Sequence, residues 1–468
     1  MLTESDSNKL LEIPYRTLWE MQPTDIEQFQ LHLLQQRFEK LRPKIQALGK
    51  LAELQGVDRI AQLNDVVPIL FQHSAYKSYP ISLLEKGKYD ALTKWLDKLT
   101  SHDLSTVDAS DCHSIDEWLQ LLDDVTELRV VHSSGTSGKL SLIPRDQKET
   151  HRFTICTIRR VEGFGDEPDL ATPLLKSGKK MAVIYPSYRY GRYGAHRLVQ
   201  DVIECYGTPE NSYALHEELM SADVVSLSGR VAGAQAKGEL DRLKISDALL
   251  QKYKESIALR ASQSEKEKHF LDRVIANCQG QDVIMLGVVS LMLEWVRMAR
   301  ERGLDKLFGA NSLLLSGGGA KGLKLPDDWR EQITQTLGVE PNISYGMSEC
   351  ITQLPSCSAG NYHSTPYIIA FVLDPETGAP LPRTGTQTGR YGFYDLLAES
   401  YWGGFITGDK VTAHWDGCAC GRSGFHVEPT IVRYSSISDD GDDKINCAGA
   451  ADAHERALDF LNDLAQQT

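Results

Sequence analysis

The sequence predicts an α/β fold, and three observations lead there. Apolar residues recur three and four apart from Pro14 to about Thr100, as in FQLHLLQQRFEKLRPKIQALGKLAEL, which is helical periodicity. From about Leu128 short apolar runs end in Gly, Ser or Tyr-rich turns and lead into helices: RVVHSSGTSGK, KMAVIYPSYRYG, DVIMLGVVS, NSLLLSGGG and PNISYGMSE. That pattern belongs to a sheet with ligand loops at its strand ends. After Ile368 the text turns to strands and turns, FVLDPETGAPLP reading as a strand followed by a Pro and Gly turn.

In chain order these readings give a helical N-terminal segment over residues 1–105, packed on the large domain, and an α/β core over 106–365. A β-rich subdomain follows over 366–445, with a residual C-terminal helix over 446–468. The charged stretch from Lys244 to about Gln279 reads as a solvated amphipathic helix. Pro326 reads as the first residue of a helix ending near Gly338.

Composition narrows the function. The 468 residues carry 50 Lys and Arg against 64 Asp and Glu, a net charge of -14. A chain built to neutralise nucleic-acid phosphates or an anionic membrane face would be basic, so neither partner is expected. Nine scattered cysteines suit a reducing compartment better than a disulfide framework. With no basic-then-apolar leader and no long apolar stretch, the expected location is the cytoplasm.

Four loops carry the chemistry. Ser133, Ser134, Gly135, Thr136, Ser137, Gly138 and Lys139 follow the apolar run LRVV, and LSLIPRD leads out. Backbone N–H groups, hydroxyls and a lysine in one loop suit a polyphosphate. It is not G-x-x-x-x-G-K-[ST], because Ser133 and Leu140 stand where that pattern needs Gly and Ser or Thr. The second loop, Gly317, Gly318, Gly319, Ala320, Lys321, Gly322, satisfies G-x-G-x-x-G and invites a nicotinamide-dependent oxidoreductase. That fingerprint needs a helix to open on the loop, whereas Leu323 to Leu325 intervene before Pro326. Bare glycine backbone also lets a purine ring lie flat against it. In the third loop, SYGMSE, Tyr345 can stack on adenine, Ser348 can bond a phosphate oxygen and Glu349 can hold magnesium. The fourth, Thr407-Gly408-Asp409, ends a strand-like segment and offers a carboxylate to ribose hydroxyls.

In this order, SSGTSGK, SGGG, SYGMSE and TGD resemble the successive nucleotide loops of the acyl-adenylate-forming superfamily, over roughly Leu128 to Asp443. YPSYRYGRYGAHR and the cysteine segments look like the phenylacetate-CoA ligase branch. SGGGAKG and the helical N-terminus are closer to the acyl-protein synthetases of bacterial bioluminescence. The resemblance implies a large adenylate-forming domain that uses ATP and magnesium to activate an aryl or acyl carboxylic acid as its adenylate, with release of pyrophosphate. The acyl group then passes to a thiol or amine: CoA, a carrier protein, a protein cysteine such as Cys447, or a small amine. It also implies that Ser133 to Lys139 wrap the β- and γ-phosphates, that Gly317 to Gly319 and Tyr345 enclose adenine, and that Gly346 and Met347 belong to the ATP site. Ser348 would meet the α-phosphate, Glu349 the magnesium and Asp409 the ribose, with Lys139, Ser348 and Glu349 catalytic. Tyr188, Tyr190, Gly191, Tyr193, Gly194 and His196 fall where relatives build the wall facing the acyl group, and the aromatics favour a flat acid.

Cys357, His363, Cys418 and Cys420 supply three sulfurs and an imidazole, the donor set of tetrahedral zinc, and the phenylacetate-ligase branch has a similar arrangement. Cys350 is an alternative third sulfur. The match thins at the end: 25 residues follow Asp443, and fewer than about 40 seldom fold alone, so little or no C-terminal small domain is expected. The arginine usual before the paired acids is replaced near Asp440. A noncatalytic acyl-adenylate or nucleotide-binding scaffold is therefore the alternative function.

Overall fold

A computed structural model describes residues 6–133, 139–160, 178–238, 245, 247–261, 263–317 and 325–436. The chain forms two compact units, one of Met1–Ser133, Lys139–Arg152 and Ser348–Thr468, the other of Ser134–Gly138 and Phe153–Met347. Each is α/β in make-up, as the sequence predicts.

The first unit joins the opening helices to the β-rich region. Its sheet runs Tyr362–His363, His426–Val427, Gly404–His414, Thr386–Asp395, Ile368–Leu373, with Phe71–Gln72 and Val432–Arg433 also pairing with Gly404–His414. Ile368–Leu373 is buried along its whole length, so it reads as an uninterrupted apolar run. The turn after it is closed by Asp374, whose Oδ1 accepts from the backbone of Glu376 (3.0 Å) and Thr377 (2.8 Å). Gly378 then takes φ +69°, which a side chain would resist. The N-terminal helices are tied to this sheet by polar side chains on backbone: Gln30 donates to Pro366 and Ile368 carbonyls, Tyr76 to Trp402, and Trp402 to Ile69. An ion cluster adds to this, with buried Arg37 and Arg152 both on the half-buried Glu399 at 3.1 and 2.8 Å.

The second unit is built on five parallel strands in the order Ser212–Leu219, Ala182–Tyr190, Val283–Gly287, Leu313–Gly317, Asn342–Tyr345. Counted along the chain this is 2-1-3-4-5, so the order reverses beside Ala182–Tyr190. Crevices outside the carboxyl ends of strands at such a reversal bind ligands in open α/β sheets.

Three local expectations are corrected. The Lys244–Gln279 stretch folds as two helices, Asp247–Ala261 and Gln263–Cys278. The helix expected from Pro326 starts at Trp329, because the Pro326 carbonyl closes a turn on the Trp329 N–H (3.2 Å); it ends at Gly338, φ +102°. Asp409 does not end a strand but lies inside Gly404–His414. The residual helix over 446–468 lies outside the described residues. No described helix is long and apolar enough to cross a membrane.

Candidate functional site

In the first unit a hairpin holds Ser133 and Lys139, the two ends of the phosphate-loop candidate. Val131–His132 and Leu142–Ile143 pair antiparallel, and Ser133 closes the next rung, its N–H on the Ser141 carbonyl (3.1 Å) and its Oγ accepting from the Ser141 N–H (2.9 Å). Ser134, Gly135, Thr136, Ser137 and Gly138 lie outside the described residues. Lys139 donates to the Tyr79 carbonyl (2.7 Å), its ammonium 5.5 Å from that ring's centre. Burial, then the neighbouring Lys77, holds its pKa below the ordinary lysine value.

Glu349 sits in a loop held by buried side chains. Arg145 donates to the carbonyls of Ser348 (3.0 Å) and Cys350 (2.8 Å), and Tyr401 donates to that of Glu349 itself (3.0 Å). Asp395, wholly buried, takes the N–H groups of Ile351 and Thr352 on one oxygen, each at 2.7 Å, and that of Leu397 on the other (3.0 Å). Five backbone groups around one carboxylate are thus fixed by buried side chains. Burial pushes the Glu349 pKa above its ordinary value, against its own backbone and the cations Arg433, Lys77 and Arg145. A carboxylate so placed is stabilised by a hard cation.

Asp409 is presented by a bulge. Arg390 pairs with Lys410 and Gly392 with Ile406, so Thr407, Gly408 and Asp409 face Tyr391 alone. Thr407 Oγ1 donates to the Tyr391 carbonyl (2.8 Å) and accepts from the Asp409 N–H (3.1 Å). Bulges of this kind re-aim a side chain, and the one here depends on the partner strand's register, which TGD does not encode. Asp409 is ion-paired with Arg433, Nε to Oδ1, at 2.8 Å. Lys77, Arg145, Asp395, Tyr401 and Arg433 are residues that sequence reasoning missed. None sits in one of the four motifs; Arg145, Asp395 and Tyr401 bond the loop from distant parts of the chain, and Lys77 and Arg433 act on Glu349 through their charge.

The cysteine cluster belongs to the same unit. Two tight turns present it: the Gly360 N–H bonds the Cys357 carbonyl (2.8 Å) and the Gly421 N–H the Cys418 carbonyl (2.9 Å), with φ +82° and +88° at the glycines. Pairing of Tyr362–His363 with His426–Val427 draws the two turns together. The ligand atoms of Cys357, His363, Cys418 and Cys420 lie within 4.8 Å of one another, and Cys350 is not among them. Cys357 and Cys418 sulfurs are 3.9 Å apart, and Cys420 Sγ is 3.4 Å from His363 Nε2. Tetrahedral zinc with Zn–S about 2.3 Å sets neighbouring sulfurs about 3.8 Å apart. Burial, with His426 and Arg422 nearby, drives the His363 pKa down to about 3, so its imidazole is neutral, as a ligand must be. Burial, with the Cys418 and Cys357 thiols beside it, also raises the Cys420 thiol to about 11.

In the second unit Gly317 and Tyr345 end adjacent parallel strands, Gly317 being opposite Ser344. Arg160, buried, bridges these strands through Ser344 Oγ and the Ser316 (3.0 Å) and Asn342 (3.1 Å) carbonyls, and burial lowers its pKa to about 9. Gly318 and Gly319 lie outside the described residues; Gly346 and Met347 follow Tyr345 and are half-buried. The first helix described beyond Gly317 begins only at Trp329. Of the acyl-wall candidates, His196 is buried between Tyr193 (stacked, 5.4 Å) and Tyr185 (edge-on, 5.7 Å). A Cβ on Gly191 would lie 2.3 Å from His196 Nδ1, so only glycine fits there. Gly194 opens the helix Gly194–Tyr206. Tyr188 instead stacks on His216 at 4.4 Å, and Tyr190 is 43% exposed opposite Leu219. These residues flank the point where the strand order reverses.

No protein-family model and no curated protein matches the sequence. Solved structures of 2-hydroxyisobutyryl-CoA ligase do resemble it. The postadenylation state with 2-HIB-AMP aligns at TM-score 0.52 and 13% identity, covering 88% of this chain and 68% of that one. The thioesterification state with 2-HIB-AMP and CoA aligns at TM-score 0.51 and 14% identity, covering 90% and 70%. The open conformation with the same two ligands aligns at TM-score 0.51 and 13% identity, covering 87% and 70%. The chain therefore shares the fold of these 2-hydroxyisobutyryl-CoA ligase structures.

Proposed function

We propose that this protein activates a carboxylic acid with ATP, forming an acyl-adenylate and pyrophosphate, and passes the acyl group to a thiol or amine. The observation that carries the reading is the clamp on the Glu349 loop: the backbone of residues 348–352 is held by buried Arg145, Asp395 and Tyr401, with Lys77 and Arg433 close enough to affect the Glu349 charge. Attack of the acid's oxygen on the α-phosphorus needs no protein nucleophile. It needs fixed groups that align the reactants and balance growing negative charge.

Glu349 would hold magnesium, which supplies charge neutralisation at the phosphates when bound. Asp409 would take the ribose hydroxyls, Ser348 the α-phosphate, and Ser133 to Lys139, with Lys77, the β- and γ-phosphates. Gly317 to Gly319, Tyr345, Gly346 and Met347 would receive adenine, and Tyr190, Gly191, Gly194 and His196 the acid. CoA in the 2-hydroxyisobutyryl-CoA ligase structures supports a thiol acceptor. Cys357, His363, Cys418 and Cys420 would bind a structural zinc, their sulfur spacing and neutral imidazole being what that ion requires. None of the eight described cysteines is in a disulfide, which suits a reducing compartment such as the cytoplasm.

Glu349→Ala and Asp409→Ala test the reading. Each should lower adenylation roughly 100-fold or more, as loss of a transition-state contact does, with the circular-dichroism spectrum unchanged. Wild-type turnover in both variants would exclude these roles.

A further inference from the structure

Two helices of the first unit each turn a pair of cations into one cavity of about 440 Å³. Arg37 and Lys40 stand three apart on Pro23–Leu41, and Lys148 and Arg152 four apart on Gln147–Arg159, spacings that share a helix face. The other charged residues lining the cavity are Asp6 and Glu399, and both are committed. Glu399 meets Arg37 at 3.1 Å, Arg152 at 2.8 Å and Lys40 at 3.3 Å, while Asp6 caps a helix by accepting the Asn8 N–H (2.9 Å). The Lys148 side chain has no hydrogen bond or ion pair among the described residues. Four cations against two carboxylates leave two positive charges in excess, on a chain whose net charge is -14. Cations gathered this closely repel one another unless an anion joins them.

The two arginines are built into place. Arg37 and Arg152 are 3% and 4% exposed. Arg37 also donates to the Leu396 carbonyl (3.2 Å) and Ser7 Oγ (2.6 Å), and Arg152 to the Leu397 carbonyl (2.9 Å) and Asn8 Oδ1 (2.9 Å). Cations fixed in this way lose little side-chain freedom when a ligand arrives, and the exposed Lys40 and Lys148 can close over it. We infer that this cavity is a binding site for a phosphate dianion, either the free ion or the monoester end of a larger ligand. A phosphate group carries about 1.5 to 2 negative charges at pH 7, which matches the excess, whereas a carboxylate carries one. Guanidinium groups suit its oxygens. The site shares no residue with the nucleotide loops and stands independently of the activity proposed above, and no bond is made or broken in it.

The test is calorimetric titration of inorganic phosphate into the full chain at constant ionic strength, without ATP or magnesium, beside the double variant Lys40→Gln/Lys148→Gln and the single variant Lys139→Gln. Both rim lysines are exposed, so their replacement leaves the fold standing. The parent should bind phosphate, and Lys139→Gln should keep that binding within about twofold. The double variant should bind about 10-fold or more weakly, as loss of charge-assisted contacts does. Absence of phosphate binding in the parent would overturn the inference. Loss in Lys139→Gln with retention in the double variant would overturn it too, since the ion would then sit in the SSGTSGK loop. So would displacement of phosphate by acetate at equal concentration, because the site would then take any anion. Phenyl phosphate separates the two sources: displacement of phosphate by it identifies a monoester end as the ligand, and failure to displace identifies the free ion.

Discussion

Replacing Asp395 with asparagine should loosen the loop that carries Glu349 while leaving the sheet beneath it intact. Ile351 and Thr352 N–H groups converge on one Asp395 oxygen at 2.7 Å, and the Leu397 N–H meets the other at 3.0 Å. Asparagine has one carbonyl oxygen, so its amide must face at least one of these donors. A buried N–H left unpaired costs about 1–3 kcal/mol, and the remaining bonds lose charge assistance worth about 1 kcal/mol each. Burial already raises the Asp395 pKa, so neutralising it recovers part of that. The net is about 2–4 kcal/mol, which corresponds to roughly 30- to 700-fold faster opening of the loop. A chain of two units does not unfold in one step, so the readout is local. Hydrogen exchange of a peptide spanning residues 350–353 should accelerate by that factor, with peptides from Ile368–Leu373 unchanged. Exchange within about threefold of the parent would refute the clamp as the source of the loop's rigidity.

Two further expectations follow from the first unit. Glu149, fully buried beneath the Glu399 and Ser400 N–H groups, is pushed up to about 7 by burial and the adjacent Asp146. Folded protein therefore binds more protons than unfolded between the ordinary glutamate value and about pH 7, and stability falls as pH rises through that window. The melting temperature of Glu149→Gln should fall less than that of the parent from about pH 5 to about pH 8; parallel curves would refute the assignment. Protein purified without chelator should contain close to one zinc per chain, and Cys418→Ser should lose most of it; absence of metal from the parent would remove the centre.

The strands Ala182–Tyr190, Val283–Gly287, Leu313–Gly317 and Asn342–Tyr345 were legible because parallel strands are buried on both faces and read as apolar runs. Ser212–Leu219 was not: it is an edge strand whose last three residues face solvent, so SYALHEEL lacks that run. The cysteine and histidine spacing named four groups that the structure brings together, since metal ligands are recognisable by type. The Glu349 supports were invisible for the opposite reason. Arg145, Asp395 and Tyr401 lie 43 to 205 residues from the carbonyls and N–H groups of the Glu349 loop that they hold, and backbone accepts them without leaving a motif. The bulge at Asp409 was equally hidden, because it arises from the count of residues on the neighbouring strand.

The central claim is adenylation, and carboxylate-dependent ATP–pyrophosphate exchange tests it most directly because it needs no knowledge of the acceptor. Run with magnesium against a panel of aryl and fatty acids, the protein should exchange label with one acid class and not without acid. Silence across the whole panel, with ATP still bound, would contradict the claim and mark the chain as a nucleotide-binding scaffold.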